Sequence, residues 1–273
     1  KEIYFFKTQL LELDGSMPSG IFKTAVMKKH LRILKSWQKQ LCEELKLDWD
    51  SLKKEICQYH FGPVKEGVFN NEFKDTHQLL PTLNIKDKNE NESYAENISA
   101  NFYGETEWCY ADQSDNYYII YLSEHECQEK SWIRHFLDVL VLRVADLLPE
   151  NVKIKGLCIS AEGKLKTRDI KLPSKEQAKK YLFDLLKEMH SENAALVMPV
   201  ESVFEISKEN LSATKYNSRF NEWIKNKLNS PKKHKGISTQ YGPIKYINDD
   251  NLPENAYELV TKRFKLYFEL FSL

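Results

Sequence analysis

Apolar residues recur at every third or fourth position over several long stretches, and this spacing predicts amphipathic helices. The longest predicted helix covers 24–47, with Lys and Arg residues on its other face. A second, at 131–148, is apolar on nearly all sides and is expected to be buried. Further helices are predicted at 174–189, with the capping-box pattern Ser174-x-x-Gln177, and at 216–228 and 254–271. The apolar face of the first helix is expected to comprise Leu31, Leu34, Leu41 and Leu45.

Aromatic and β-branched residues are concentrated between the first two long helices and predict strands. The predicted strands lie within 55–70, around Phe61-Gly62-Pro63, and at 98–103, 107–110 and 117–122, with a turn at 112–116. Residues 152–159 and 164–172 predict a hairpin that turns on Glu162-Gly163. Helices and strands in this order predict one α/β (mixed α+β) domain, 1–273, with a central sheet flanked by helices.

Composition narrows the class of protein. The 273 residues are 41% hydrophobic and 29% charged, which is typical of a globular domain, and their net charge of zero argues against a chain built as a whole for nucleic acid. No apolar run approaches the roughly 20 residues that cross a bilayer, so we expect a cytoplasmic protein without a membrane partner.

The cysteines predict no special chemistry. All five are scattered, and no CxxC pair occurs, so reduced thiols are expected rather than a disulfide framework or a zinc ribbon. His125, Cys127 and His135 could be considered as metal ligands, but their spacing fits no standard site. We therefore expect these three residues to be structural.

Charge is unevenly distributed along the chain. Residues 86–130 hold eleven Asp or Glu against three Lys, whereas 223–248 hold six Lys and no acid. The basic segment is either a solvated loop or a set of phosphate contacts, since phosphate binding needs mobile ammonium groups rather than exact spacing.

Four ordered segments together resemble one family. Gly15-x-Met17-Pro18-x-Gly20-x-Phe22 is similar to the GxLPxGxFG elbow before a long helix in the C-terminal part of the gamma subunit of exodeoxyribonuclease V, the RecC family. Residues 101–104 with 115–121 resemble its sheet segment, and Trp132-Ile-Arg-His135-Phe-Leu resembles its WlxHLl helix. Residues 178–186 with Leu196-x-x-Pro199-Val200-x-Ser202 resemble its AxxxLxxLL…PLPxxxxS pattern, in which the family's glycine is replaced here by Ser191-Glu-Asn.

This resemblance implies a degenerate PD-(D/E)xK nuclease-like fold that lacks the catalytic residues. It also implies that the chain is a C-terminal fragment of a longer subunit, which would explain the missing initiator Met. An N-terminal elbow and long helix would occupy 1–50, a nuclease-like sheet and helix core 98–190, and a basic loop and closing helix 191–273. The family-motif residues with structural roles would be Gly15, Pro18, Gly20, Trp132, His135 and Pro199.

The chemistry of such nucleases can be checked against the residues. Two carboxylates must hold a divalent metal, and a Lys must position the attacking water. Glu107 could serve as the first carboxylate, sharing a strand face with Glu105, but Tyr121-Leu-Ser123 stands where an acid, a spacer and a Lys are expected. Glu162-Gly-Lys164 is an E-x-K triplet at a predicted turn.

The resemblance therefore implies a non-catalytic scaffold and DNA-guiding domain of a RecC-like subunit. Its partners would be RecB-like and RecD-like chains, double-stranded DNA ends and single-stranded DNA. No cofactor is expected, because the sequence has neither clustered iron–sulfur cysteines nor a Walker motif. Two alternatives stay open: an active metal-dependent nuclease that uses Glu107 and Glu162, and a pure protein-interaction domain. Candidate DNA contacts are Lys164, Lys166, Arg168, Lys232, Lys233 and Lys235.

Overall fold

A computed structural model of the chain describes residues 20–63, 77–86, 99–189, 203–204, 215, 218–219, 222 and 256–271. Along these ranges two helices precede a run of seven strands, and a third helix separates this run from a hairpin that is followed by further helices. The helices are α1 (Gly20–Leu45), α2 (Trp49–Glu55), α3 (Trp132–Val144), α4 (Lys175–Met189) and α5 (Ala256–Phe271), and a 3₁₀ turn (Glu129–Ser131) leads into α3.

The strands form three sheets in the described ranges. They are β1 (Gln58–Phe61), β2 (His77–Leu80), β3 (Leu83–Lys86), β4 (Ser99–Phe102), β5 (Gly104–Glu105), β6 (Trp108–Ala111), β7 (Asn116–Leu122), β8 (Lys153–Ile159) and β9 (Leu165–Ile170). The largest sheet has the order β6-β7-β8-β9, the second β2-β1-β5, and the third pairs β3 with β4. Strand β1 is parallel to β2 and antiparallel to β5.

The four-stranded sheet mixes antiparallel and parallel pairs. Strands β6 and β7 are antiparallel, with Trp108 opposite Ile120. The amide of Lys153 donates to the carbonyl of Asp115, and that of Ser123 to the carbonyl of Ile159, so β7 and β8 run in the same direction. Helix α3 makes the crossover between these two strands. The prediction of a mixed α/β fold is thus confirmed.

Turns and caps follow from local sequence. The Asp112 carboxylate accepts hydrogen bonds from the amides of Ser114 and Asn116 and closes the turn between β6 and β7. Gly163 has φ +77 at the tip of the β8–β9 hairpin, a backbone conformation that glycine adopts readily. Ser174 and Gln177 exchange side-chain-to-amide bonds of 3.1 and 3.0 Å, so the predicted capping box is confirmed.

Several predicted boundaries shift. Helix α3 ends at Val144 rather than at 148, because the chain leaves the helical conformation at Asp146, where φ is +60. Glu105 and Glu107 do not share a strand, since β5 ends at Glu105 and β6 begins at Trp108. No helix within the described residues is long and apolar enough to cross a membrane.

The chain divides into two compact units. Unit 1 contains 1–54, 122–127 and 158–166; unit 2 contains 55–121, 128–157 and 167–273. The predicted division of the chain into 1–50, 98–190 and 191–273 stays a prediction.

In unit 1, helix α1 packs through its second half. No side chain from Ile21 to Arg32 is fully buried, whereas Ile33 and Leu41 are 7% and 4% exposed. The predicted apolar face was therefore partly wrong: Leu31 and Leu34 are 39% and 44% exposed, and Ile33 takes their place in the core beside Leu41 and Leu45. The indole Nε1 of Trp37 donates to the carbonyl of Ser160 at 3.0 Å and fixes this half of the helix to the β8–β9 turn.

Unit 1 also holds a disulfide bond between Cys127 and Cys158, so the expectation of five reduced thiols was wrong. The two residues are 31 positions apart, but the fold brings their Cα atoms to 6.1 Å, which is within the range of disulfides. Both side chains are buried. The free cysteines are Cys42, Cys57 and Cys109.

In unit 2, the core is built on α3 and α5. Trp132, Phe136 and Tyr267 are at most 3% exposed. The rings of Phe136 and Tyr267 meet edge to face at 5.4 Å, and Tyr267 stacks on Phe271 at 4.6 Å. Gly156 of β8 allows α3 to approach closely, because a Cβ there would lie 2.9 Å from atoms of both His135 and Trp132.

Candidate functional site

Glu107, the candidate for the first metal-binding carboxylate, forms an ion pair with Arg134. Its Oε1 accepts a 2.8 Å hydrogen bond from Nη1 of Arg134, and the Glu107 side chain is 19% exposed. This hydrogen bond raises the pKa of the Arg134 guanidinium. The guanidinium also lies over the ring of Tyr121, 5.1 Å from its centre. Arg134 thus contacts both Glu107, which precedes β6, and Tyr121 on the neighbouring strand β7.

Asp138, one helical turn after Arg134, is the second carboxylate near this point. Its Oδ2 accepts a 3.0 Å hydrogen bond from the backbone amide of Glu107. Burial raises the pKa of Asp138 to about 8, and the nearby charge of Glu107 adds to the shift, although the amide bond and Arg134 oppose it. Near neutral pH, Asp138 therefore favours the protonated form, which is a poor metal ligand.

The strand that would carry the second acid and the Lys offers neither. Tyr121 is covered by Arg134, Leu122 ends β7, and Ser123 is buried at 6% exposure. Glu162 accepts a 3.2 Å hydrogen bond from the hydroxyl of Ser160, beside the β8–β9 turn. Among the described residues there is no group of three His, Cys, Asp or Glu side chains positioned to hold a metal ion.

The motif residues Trp132 and His135 are packed inside unit 2. His135 is fully buried, with Nε2 3.0 Å from the carbonyl of Leu157 and Nδ1 3.2 Å from that of Ser131. Burial lowers the pKa of His135 to about 4, and the two carbonyls oppose this shift without cancelling it. The imidazole is therefore neutral at pH 7 and holds α3 against β8.

Two of the three hairpin cations that were candidate DNA contacts are engaged within the protein. Arg168 makes two hydrogen bonds, 2.7 and 2.8 Å long, to the carboxylate of Glu129, and its guanidinium lies 4.9 Å from the ring centre of Trp132. Nζ of Lys166 donates to the carbonyl of Cys127 at 2.6 Å. Lys164, by contrast, is exposed.

Other sequence candidates lie outside the described residues. Gly20 is the first residue of α1, so this helix begins within the segment that resembles the elbow rather than after it. The described residues do not include the basic-loop lysines Lys232, Lys233 and Lys235 or the motif residues Gly15, Pro18 and Pro199.

Sequence reasoning missed a set of cations on α1. Lys28, Arg32, Lys35 and Lys39 follow one another at intervals of four, three and four residues, so they line one side of the helix, and all four are exposed. The signal was present in the sequence as the polar face of this helix. These cations stand out as a candidate binding surface only when the structure shows which other Lys and Arg residues are paired with acids.

Comparison of this chain with protein-family models, with curated proteins and with solved structures found no match.

Proposed function

We propose that this chain is a non-catalytic scaffold and DNA-guiding domain of a RecC-like subunit in an ATP-dependent helicase–nuclease that processes double-strand DNA breaks. Four ordered sequence segments support the family. The mixed sheet, with a meander followed by a helical crossover, is compatible with a degenerate nuclease-like fold. Such a role implies a cytoplasmic location.

The observation that carries the non-catalytic part is the ion pair between Glu107 and Arg134. A metal-dependent nuclease needs an anionic site that attracts a divalent cation and activates water. Here the guanidinium neutralises the first carboxylate, and burial favours the neutral form of Asp138. The guanidinium of Arg134 thus binds the carboxylate that a metal ion would need. In the proposed role, the domain then serves as a rigid surface.

In the complex, RecB-like and RecD-like partners would supply ATP hydrolysis and strand cleavage. This domain would contribute a fixed surface beside the point where the duplex opens, with Lys and Arg side chains that guide the strands electrostatically. The same surface would contact the partner motors.

A plasmid-nicking assay with Mg²⁺ or Mn²⁺ tests the absence of catalysis. We expect no metal-dependent cutting by the wild-type chain, nor by Glu107→Ala or Glu162→Ala. Cutting by the wild type that disappears in Glu107→Ala would overturn the proposal and favour an active nuclease.

Co-purification with RecB-like and RecD-like chains from the same source tests the assembly. We expect a stable complex that binds forked DNA with an affinity that falls as salt is raised. A complex that forms but shows no salt-dependent contribution of this domain to DNA binding would favour a pure protein-interaction role. Failure of the complex to form would contradict the assignment to a RecC-like subunit.

A further inference from the structure

Helix α1 has an unusual charge distribution. From Gly20 to Cys42 it carries five Lys and one Arg, and the first acidic residue is Glu43. Each of α2, α3, α4 and α5 contains at least one Asp or Glu among its cations. In a chain whose net charge is zero, this accumulation is local to one helix.

Four of the six cations lie in a row on the exposed side of α1, and we refer to Lys28, Arg32, Lys35 and Lys39 as the basic stripe. With a rise of about 1.5 Å per residue, the stripe is about 16 Å long, and its members are about 4.5 to 6 Å apart along the helix axis. A row of this length can face several phosphates of one nucleic-acid strand.

The stripe is largely free of acidic partners. Lys39 lies 3.7 Å from Glu43, and both side chains are more than half exposed, so this pair is weak. Among the described residues, Lys28, Arg32 and Lys35 form no ion pair. Beside the stripe lies an open groove of about 450 Å³, lined by Lys29 and Arg32 of α1 and by the acidic residues Glu124 and Glu162. Arg32 lies at the edge of this groove without an ion pair to either acid, and the other three members of the stripe are not part of its lining.

We infer that the basic stripe of α1 binds the sugar–phosphate backbone of DNA, independently of sequence. The inference rests on the proposed function, to which it adds a named contact surface. The stripe contains no aromatic side chain on which bases could stack, so phosphate charge is the recognised chemistry. The occupant is a DNA strand, either single or within a duplex.

The exposed position of the stripe makes it suitable for substitution. We would compare the full chain with Arg32→Gln/Lys35→Gln, because Gln preserves helix propensity while removing charge. A matched control is Lys171→Gln/Lys180→Gln, which removes two exposed cations outside α1. A second control, Arg32→Lys/Lys35→Arg, keeps the charge and changes the side chains.

Fluorescence anisotropy with labelled 20-nucleotide single-stranded and duplex DNA, over a series of salt concentrations, gives the readout. We expect the Gln pair on the stripe to weaken affinity at least about tenfold at 50 mM salt and to reduce the slope of log K against log salt by about 1.4 for single strands. For duplex DNA, the expected reduction of the slope is about 1.8. The control on Lys171 and Lys180 and the charge-retaining pair should bind like the wild type.

The outcomes separate this inference from the proposed function. If wild-type chain binds both DNAs and the stripe substitution changes neither affinity nor slope, the stripe is excluded, and the scaffold proposal stands with its contacts elsewhere. If the wild type binds neither DNA, the inference is overturned, while assembly with the partner chains still tests the scaffold role. A loss that also occurs with the charge-retaining pair would indicate a damaged helix and overturn the electrostatic account.

Discussion

Three arginines of unit 2 and the basic stripe of unit 1 differ in whether their charges are paired within the protein. In unit 2, Arg134 binds Glu107, Arg168 binds Glu129, and Arg263 binds Glu188, which is itself 9% exposed. In unit 1, the basic stripe of α1 leaves its charges in solvent. Cations paired with mostly buried carboxylates stabilise a fold locally, whereas exposed cations without such a partner contribute little to stability and remain available for an external anion. We therefore expect substitutions in the two groups to have separable effects.

The largest expected effect concerns the cross-link of unit 1. Closing a loop of 31 residues should stabilise the folded chain by about 3–4 kcal/mol in the chain-entropy description. Cys127→Ala/Cys158→Ala should lower the free energy of unfolding, measured by urea denaturation, by roughly this amount, and dithiothreitol should destabilise the wild type but not this double variant. Cys42→Ser, which removes a free thiol, is the control.

A thiol count tests the premise directly. Denatured, unreduced protein should react with Ellman's reagent at three thiols, and reduced protein at five. Five reactive thiols without reduction would show that the bond is absent from the purified protein.

The next effect concerns a paired cation of unit 2. Arg168→Gln removes a two-point ion pair with the partly buried Glu129 and a contact with the Trp132 ring. We expect a loss of about 2 kcal/mol in unfolding free energy, since one partially desolvated carboxylate loses its partner and a cation–π contact is lost. DNA affinity should stay within about twofold. A stable Arg168→Gln variant that binds DNA much more weakly would return this residue to the set of DNA contacts.

Two titratable groups of unit 2, Asp138 and His135, give a dependence on pH. The folded-state pKa of Asp138 is raised to about 8, so stability falls as pH rises from the ordinary Asp value towards 8. The pKa of His135 is lowered to about 4, so its contribution is present above the ordinary His value and is lost as pH falls towards 4. These two effects oppose each other between about pH 4 and 6.5, and above 6.5 only that of Asp138 remains.

We therefore expect stability to decrease by roughly 1–2 kcal/mol between about pH 6.5 and 8. Asp138→Asn should remove this decrease, because the amide still accepts the bond from the Glu107 amide but does not ionise. Urea denaturation at several pH values measures both. An unchanged slope in Asp138→Asn would assign the decrease to other groups.

Local features of both units could be predicted from the sequence, but partnerships could not. The capping box of Ser174 and Gln177 and the turn at Gly163 depend on residues within four positions of each other, so composition and spacing were sufficient. The long helices α1, α3, α4 and α5 and the strands β6 to β9 were predictable for the same reason, since hydrophobic periodicity indicates them, whereas the short helix α2 and the strands β2 and β3 were not predicted.

The pairs that define the candidate sites are instead distant in sequence. Glu107 and Arg134 are 27 positions apart, and Cys127 and Cys158 are 31 apart. Glu107 meets Arg134 of α3, and Cys127 meets Cys158 of β8, through tertiary packing that no local pattern encodes. The predicted buried face of α1 was partly wrong for a related reason. Leucines spaced three or four residues apart are compatible with several buried faces of one helix, and the segment against which the helix packs decides which face is buried.

The smallest expected effect on stability belongs to the basic stripe, and it would distinguish the two groups of cations most directly. Arg32 is exposed and forms no ion pair among the described residues, so Arg32→Gln should change the free energy of unfolding by less than about 0.5 kcal/mol. The same substitution should weaken DNA binding several-fold at low salt, because one phosphate contact is lost. Urea denaturation and anisotropy on one protein preparation measure both quantities. Arg168→Gln should show the reverse profile. If Arg32→Gln instead destabilises the chain as much as Arg168→Gln does, the cations of α1 support the fold, and the distinction between paired and unpaired charge no longer separates the two units.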